Sequence, residues 1–192
     1  PLGFGKVWRG MSPKKTVDEI EHLVANYGIH GIWFRDQTFT MNMERALRIC
    51  DEILERRLEI RWTCETRADR LNRALVQKMQ KAGCVWISIG VETGDPQLFN
   101  SIGKRGTTLK TIEDAFRITK EEGILRKAFV MVGLPGESWK TVQNTRKFLE
   151  KINPDALTVD VVTPYPGTQL FEMAEHRNWL ISKDWSSYTS ID

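Results

Sequence analysis

The sequence predicts an α/β domain, a curved and partly closed barrel of about five parallel strands with helices on its outer side. Strand-like and helix-like segments alternate along the chain, which is typical of parallel sheets with right-handed crossovers. The strand-like segments have one apolar and one polar face. A sheet covered by helices on two sides has strands that are apolar throughout, so the polar faces favour a wet lumen.

Five segments rich in β-branched and aromatic residues predict the strands. In chain order they are Gly31 to Asp36, Ile60 to Thr66, Val85 to Glu92, Arg126 to Gly133 and Ala156 to Thr163. Apolar residues spaced three and four apart predict the intervening helices, and Ser12 followed by Pro13 marks the start of the first. Polar residues and glycines follow each strand, so we expect the functional end at the carboxyl ends of the strands.

Composition excludes several classes of protein. The 192 residues are 41% hydrophobic and 28% charged, and no apolar run approaches the roughly 20 residues that cross a bilayer. We expect a soluble, cytoplasmic chain with no membrane partner. The net charge is only +3 and basic residues alternate with acidic ones, so no nucleic-acid partner is predicted. Without a basic groove, the tryptophans are expected to serve packing; four of them are Trp8, Trp139, Trp179 and Trp185.

Three cysteines, Cys50, Cys64 and Cys84, match no CxxC-type metal spacing. Each lies on a predicted packing face or at a strand start, so we expect small buried residues instead of ligands. The residues before Arg9 have the character of a loop interior, which leads us to expect a piece of a longer protein. We assign residues 1–178 to the barrel and 179–192 to a tail that leads toward a further region.

Two stretches carry candidate binding residues. From Ser88 to Lys104 the chain places a glycine inside a strand, a carboxylate at the strand end and a cation beyond a short helix, a set that suits a polar ligand. The alternative is that Glu92 caps the next helix and Lys104 is a solvated charge. From Gly133 to Ser138 a turn leads into a helix, and its backbone N–H groups could bind polar atoms of a ligand. The alternative is a tight turn that needs its glycines and a capping serine for structural reasons alone.

Taken together, five strand-end motifs resemble the radical S-adenosylmethionine (SAM) superfamily, particularly members that carry a cobalamin-binding domain. The motifs occupy nearly the whole chain in order: Trp33 to Phe39, Trp62 to Arg67, Ser88 to Gly94, Val132 to Glu137 and Pro164 to Thr168. The resemblance implies a six-stranded partial (βα) barrel of which the first strand is missing here. It also implies SAM, a [4Fe-4S] cluster and an external electron donor such as flavodoxin or ferredoxin, with cobalamin as a further cofactor from an upstream domain.

The resemblance also implies roles for particular residues. Asp36 and Gln37 would lie near the SAM amino group, Glu65 and Glu92 near the ribose hydroxyls, and Lys104 would pair with the SAM carboxylate. Lysine keeps the charge of the arginine found in several members but loses its bidentate geometry. The rest of the implied cofactor-binding set is Ser88, the backbone around the adenine at Val132, Gly133 and Leu134, and that at Thr163, Pro164 and Tyr165. No catalytic residue and no metal ligand is assigned.

One departure from the family is the lack of a CxxxCxxC motif, which binds the cluster in radical SAM enzymes. We therefore expect the SAM-binding portion of an enzyme that cleaves SAM reductively to a 5′-deoxyadenosyl radical and acts on a small molecule, as a cobalamin-dependent methyltransferase or cyclase. The chain by itself is expected to be inactive. Two alternatives are a noncatalytic binding module on a degenerate barrel and a non-radical barrel enzyme that uses acid-base or metal chemistry.

Overall fold

The computed structural model describes residues 8–104 and 106–184, in which five parallel strands form one sheet in the order β1-β2-β3-β4-β5. The strands are β1 (Gly31–Phe34), β2 (Arg61–Thr66), β3 (Cys84–Glu92), β4 (Leu125–Val132) and β5 (Ala156–Val161). The helices are α1 (Pro13–Tyr27), α2 (Met43–Glu55), α3 (Arg73–Lys81), α4 (Pro96–Ser101), α5 (Leu109–Glu121), α6 (Trp139–Ile152) and α7 (Gln169–His176). The predicted α/β partial barrel with five parallel strands is confirmed.

The strand order fixes where the helices lie. Each strand pairs with the next one along the chain, so successive right-handed crossovers place the helices that join the strands on one side of the sheet. The hydrophobic core fills the space between these helices and the outer face of the sheet. At its centre, Trp62 is fully buried, packs against Phe34 and Phe39, and donates a hydrogen bond from Nε1 to Ala82 O at 2.7 Å. The opposite, concave face stays open.

The two faces of the sheet differ as predicted on β2 but not everywhere. Trp62 and Cys64 are buried on the outer face, whereas Thr63 and Glu65 lie on the concave face and are half-buried. Parallel partners share a face, and Trp86 pairs with Thr63. Phe129 pairs with Gly90, and Met131 follows it on the same side of β4. Aromatic and thioether side chains on β3 and β4 therefore interrupt the polar face that the sequence predicts.

Local signals for helix ends are confirmed. The Ser12 hydroxyl accepts a hydrogen bond from Lys15 N, and Pro13 occupies the first turn of α1. Gly83, between α3 and β3, has a φ of +93°, and a Cβ at this position would lie 2.1 Å from the backbone oxygen of Ile60. Only glycine fits this approach of the α3–β3 turn to the start of β2.

The cysteines are buried as predicted. Burial raises the pKa of the Cys50 thiol to about 12, and burial together with the neighbouring Cys84 raises that of Cys64 well above its usual range. These thiols are therefore protonated at neutral pH. They behave as packing residues of the core.

The packing role expected for the tryptophans is wrong for three of them. Trp8, Trp139 and Trp179 are 42%, 75% and 48% exposed. Trp185 lies outside the described residues, as do the first seven residues and the last part of the predicted tail.

The domain boundary at residue 178 stays a prediction. In the described parts of the chain, no helix has the length and apolar character needed to cross a membrane.

Candidate functional site

Two cavities open where the strands end, and they share two residues. The inner cavity, of about 430 Å³, is lined by polar side chains that include Gln37, Glu65, Arg67, Ser88, Glu92 and Lys104. The rim cavity, of about 770 Å³, is more apolar, and its lining includes Glu92, Ile102, Lys104, Met131, Leu134 and Met173. The shared pair, Glu92 and Lys104, therefore stands between a polar and an apolar compartment.

Glu92 and Lys104 form a salt bridge with 2.8 Å between Lys104 Nζ and Glu92 Oε1, and Nζ also donates to Gly90 O at 2.6 Å. The side chains are 23% and 11% exposed, so this is a shielded ion pair. Glu92 has a φ of +67°, at an irregularity in the pairing of β3 with β4. A left-handed glutamate costs backbone energy, which is typical of residues held for function.

The alternative reading of these two residues is wrong. Asp95, not Glu92, caps helix α4, with Oδ1 accepting hydrogen bonds from the backbone N–H groups of Gln97 and Leu98. Lys104 is mostly buried instead of solvated. Neither residue is explained by helix capping or by surface charge.

The carboxyl ends of β1 and β2 bring further predicted residues to the site. Glu65 lies 3.6 Å from Arg35, whose guanidinium stacks 4.1 Å from the Trp33 ring centroid. Gln37 and Ser88 line the inner cavity together with Glu65. Five predicted side chains, from four different loops and strands, thus surround one polar cavity.

Asp36 is placed differently, because it faces a buried arginine instead of lining either cavity. Its Oδ1 lies 3.8 Å from Nη1 of Arg45, a residue of α2 that is 8% exposed. Arg45 also donates from Nε to the backbone oxygen of Met11 at 2.8 Å. Through these two contacts, Arg45 links the segment before α1 to the end of β1.

The turn after β4 is a well-capped helix start. Ser138 and Thr141 form a capping box at the start of α6. Glu137 Oε2 accepts the Gly133 N–H at 2.6 Å, so the expectation that this turn offers free N–H groups was wrong at Gly133. Leu134 is buried and lines the rim cavity.

The remaining predicted backbone positions lie near the rim cavity in sequence but are not among its lining residues. These are Val132, Gly133, Thr163, Pro164 and Tyr165, of which Tyr165 is 45% exposed. The structure therefore brings together Gln37, Glu65, Ser88, Glu92, Lys104 and Leu134, and leaves the other six at the edge. Their roles stay predictions.

Sequence reasoning missed several lining residues. Arg67 was part of a recognised motif but received no role, although its place one residue beyond β2 puts it beside Glu65. The two-residue period of β4 could have identified Phe129 and Met131 as facing the lumen. Met173, on α7, carried no such signal, because the path of the chain after β5 decides where that helix lies.

The described residues do not fit an iron–sulfur cluster. Among residues 8–104 and 106–184, no three histidine, cysteine, aspartate or glutamate side chains lie close enough to hold a metal ion. The cysteines are buried in the core on the helix side of the sheet. What the site does offer is a set of acids, cations and apolar walls suited to an organic ligand.

Fold and site together define a parallel half-barrel whose ligand cavities lie at the carboxyl ends of the strands. The Radical SAM superfamily matches residues 3–149, and the chain belongs to that superfamily. The resemblance seen in the five motifs is thereby confirmed.

Named relatives are similar over nearly the whole chain. An uncharacterized methyltransferase of Pyrococcus horikoshii, PH0819, is 37% identical over 191 residues, which are 100% of this chain and 41% of that protein. The anaerobic magnesium-protoporphyrin IX monomethyl ester cyclase of Cereibacter sphaeroides is 32% identical over 98% of this chain and 31% of its own length. The chain thus spans less than half the length of these relatives.

A solved structure shares the fold. The radical SAM methyltransferase TsrM of Kitasatospora setae, determined with cobalamin and a [4Fe-4S] cluster bound, superposes with a TM-score of 0.76. The identity is 23%, and the match covers 86% of this chain and 32% of that one. This likeness shows that the chain and TsrM share the half-barrel fold.

Proposed function

We propose that this chain forms the SAM-binding wall of a radical SAM enzyme, a cobalamin-dependent methyltransferase or cyclase that acts on a small molecule. The observation that carries the proposal is the Glu92–Lys104 pair between a polar and an apolar cavity. SAM has the matching parts: an amino-acid end, a ribose with two hydroxyls and a flat adenine.

The inner cavity suits the charged half of SAM. Lys104 would meet the carboxylate, and the carboxylates of Glu65 and Glu92 can accept hydrogen bonds from the ribose hydroxyls. Gln37 and Ser88 add neutral polar groups on the same wall. Asp36, held beside Arg45, would offer its carboxylate to the amino group from the cavity's edge.

The rim cavity suits the adenine. Ile102, Met131 and Leu134 supply apolar walls, and its volume lies in the range of about 300–1,000 Å³ usual for small-ligand sites. Polarizable methionine side chains pack well against aromatic rings. We propose that the backbone at Val132, Gly133, Thr163, Pro164 and Tyr165 completes the edge of this pocket.

In radical SAM enzymes a reduced [4Fe-4S] cluster supplies the electron that cleaves SAM to the 5′-deoxyadenosyl radical. The described residues hold no ligand set for that cluster, so we assign them SAM alone and propose that the chain by itself is inactive. The relatives named as a methyltransferase and a cyclase support the proposed reaction types, and the fold shared with TsrM, which was determined with cobalamin bound, supports the proposed cobalamin dependence. A flavodoxin or ferredoxin in the cytoplasm is the proposed reductant.

The test is anaerobic reconstitution of the complete protein encoded by the gene with iron and sulfide, followed by incubation with SAM and dithionite. We expect 5′-deoxyadenosine as a product. A protein that carries its cluster and yet yields no 5′-deoxyadenosine under these conditions contradicts the proposed reaction. Equilibrium dialysis with labelled SAM separates loss of binding from loss of cleavage.

Substitution of Lys104 tests the binding site itself. Lys104→Met is expected to weaken SAM binding about 20-fold, because a hydrogen bond to a charged group contributes about 1.5–3 kcal/mol. Lys110→Met, at an exposed lysine of α5, is the matched control and should bind SAM normally. The double variant Glu92→Gln/Lys104→Met removes the unpaired carboxylate and should remain weak. Unchanged affinity in Lys104→Met would place the SAM carboxylate elsewhere.

A further inference from the structure

We infer that Asp69 is a positioning residue of the SAM site: it fixes the loop that carries Lys104 to the carboxyl end of β2. This inference rests on the proposed function, since it names how the same site is held in shape. Asp69 lies in a short 3₁₀ turn, Ala68–Arg70, just beyond β2 and outside the two cavities.

Asp69 joins two distant segments through one carboxylate oxygen. Its Oδ1 accepts hydrogen bonds from Arg67 Nε at 2.8 Å and from the Thr107 hydroxyl at 2.8 Å. The triangle is closed by Arg67 Nη2, which donates to Thr107 Oγ1 at 3.1 Å. Thr107 lies three residues after Lys104, and Arg67 lines the inner cavity. We call these three side chains the Asp69 brace.

Burial makes the Asp69 brace stiff. The Asp69 side chain is 11% exposed and Thr107 is 6% exposed, so their hydrogen bonds face little competition from water. Burial alone would raise the pKa of Asp69, but the hydrogen bonds from Arg67 and Thr107 outweigh it and hold the pKa below its usual value. Asp69 is therefore a carboxylate throughout the neutral range.

Two further groups lie close to the second carboxylate oxygen of Asp69, Oδ2. Arg70 Nε lies 3.6 Å from Oδ2 and is buried without a hydrogen-bond partner among the described residues. A Cβ on Gly106, whose φ is +80°, would lie 3.2 Å from the same oxygen. The Gly106 backbone thus packs against the Asp69 carboxylate.

The consequence concerns Lys104. Lys104 lies just beyond the end of α4, and its backbone oxygen accepts a hydrogen bond from Thr107 N at 3.3 Å, so a fixed Thr107 also restrains the backbone from which Nζ reaches Glu92. The Asp69 brace supplies that fixed point. It also holds Arg67 against the cavity wall, so one buried carboxylate sets the position of two cations.

The Thr107 hydroxyl allows a sharp test, because it can be removed without changing side-chain volume. Thr107→Val is expected to weaken SAM binding about 10-fold while Thr107→Ser, which restores the hydroxyl, stays within about 2-fold of the unaltered protein. Thr119→Val is the matched control, since that buried hydroxyl bonds only to Ala115 O within α5. It should cost similar stability and leave SAM affinity unchanged.

Equilibrium dialysis with labelled SAM and hydrogen exchange of the Gly106–Thr107 amides are the readouts, applied to the complete protein. Faster exchange and weaker binding in Thr107→Val alone support the inference. Equal SAM affinity in the valine and serine variants, or equal weakening in Thr119→Val, overturns the role of the Asp69 brace while leaving the SAM site intact. If the unaltered protein binds no SAM, the proposed function fails, and the assigned ligand fails with it.

Discussion

Replacing Gly83 by alanine is expected to destabilise the fold by at least about 3 kcal/mol. The new Cβ would lie 2.1 Å from the backbone oxygen of Ile60, and the residue would also have to keep a φ of +93°. Removing this clash would require β3 to move away from β2. That movement would break the hydrogen bond that Trp62 N donates to Gly83 O at 3.0 Å. Urea denaturation measures the change in the free energy of unfolding.

Gly28 provides the matched comparison. It is also left-handed, with a φ of +61°, but nothing lies within 4 Å of the position that a Cβ would take there. Gly28→Ala should therefore cost only the backbone term, about 1 kcal/mol. An equal decrease in the free energy of unfolding in the two variants would show that the contact with Ile60 contributes nothing to the cost.

Removing the carboxylate of Asp155 should have a similarly large effect. Arg126, on β4, is 3% exposed, and its Nε and backbone N–H each donate to Asp155 Oδ2 at 2.8 Å. Asp155→Ala leaves this guanidinium buried without its counterion, which costs about 3 kcal/mol. Asp114→Ala, in an exposed pair network on α5, is the control and should cost under about 0.5 kcal/mol.

The Asp155 effect should depend on pH in a defined direction. The hydrogen bond from Arg126 holds the pKa of the Asp155 carboxyl below its usual value of 3.8. A depressed carboxyl pKa stabilises the fold above the unfolded-state pKa, and this stabilisation is lost as the pH falls through the folded-state value. The difference between the unaltered protein and Asp155→Ala should be full at pH 7 and shrink below about pH 4. A difference that is constant from pH 7 to pH 3 would contradict this assignment.

Much of the fold follows from local patterns in the sequence. The alternation of Trp62 and Cys64 with Thr63 and Glu65 identified the two faces of β2 correctly, because burial on one face of a strand has a period of two. Strand ends were less accurate: β1 stops at Phe34, since the following chain turns so that Phe39 N can donate to Glu65 O. No local pattern encodes that long-range bond.

The site was predictable to the extent that its residues sit at strand ends. Glu65 and Glu92 follow strands and meet in one cavity because parallel strands end at the same edge. The salt bridge between Glu92 and Lys104, and the contact of Asp36 with Arg45, depend on how loops fold over the sheet. The hydrogen bonds of Asp69 depend on two segments 38 residues apart and lie beyond any pattern read along the chain.

The closed ion pair between Glu92 and Lys104 has a consequence for selectivity. A simple anion that binds Lys104 leaves the Glu92 carboxylate without a counterion. A simple cation that binds Glu92 leaves Lys104 without one. A ligand that brings a carboxylate together with hydroxyl groups gives Lys104 a new counterion and gives the Glu92 carboxylate new hydrogen-bond donors, so neither charge is left unsatisfied. We therefore expect the pair to disfavour simple ions relative to a ligand that carries both groups, and added salt should weaken the binding of simple ions more than it disturbs this exchange.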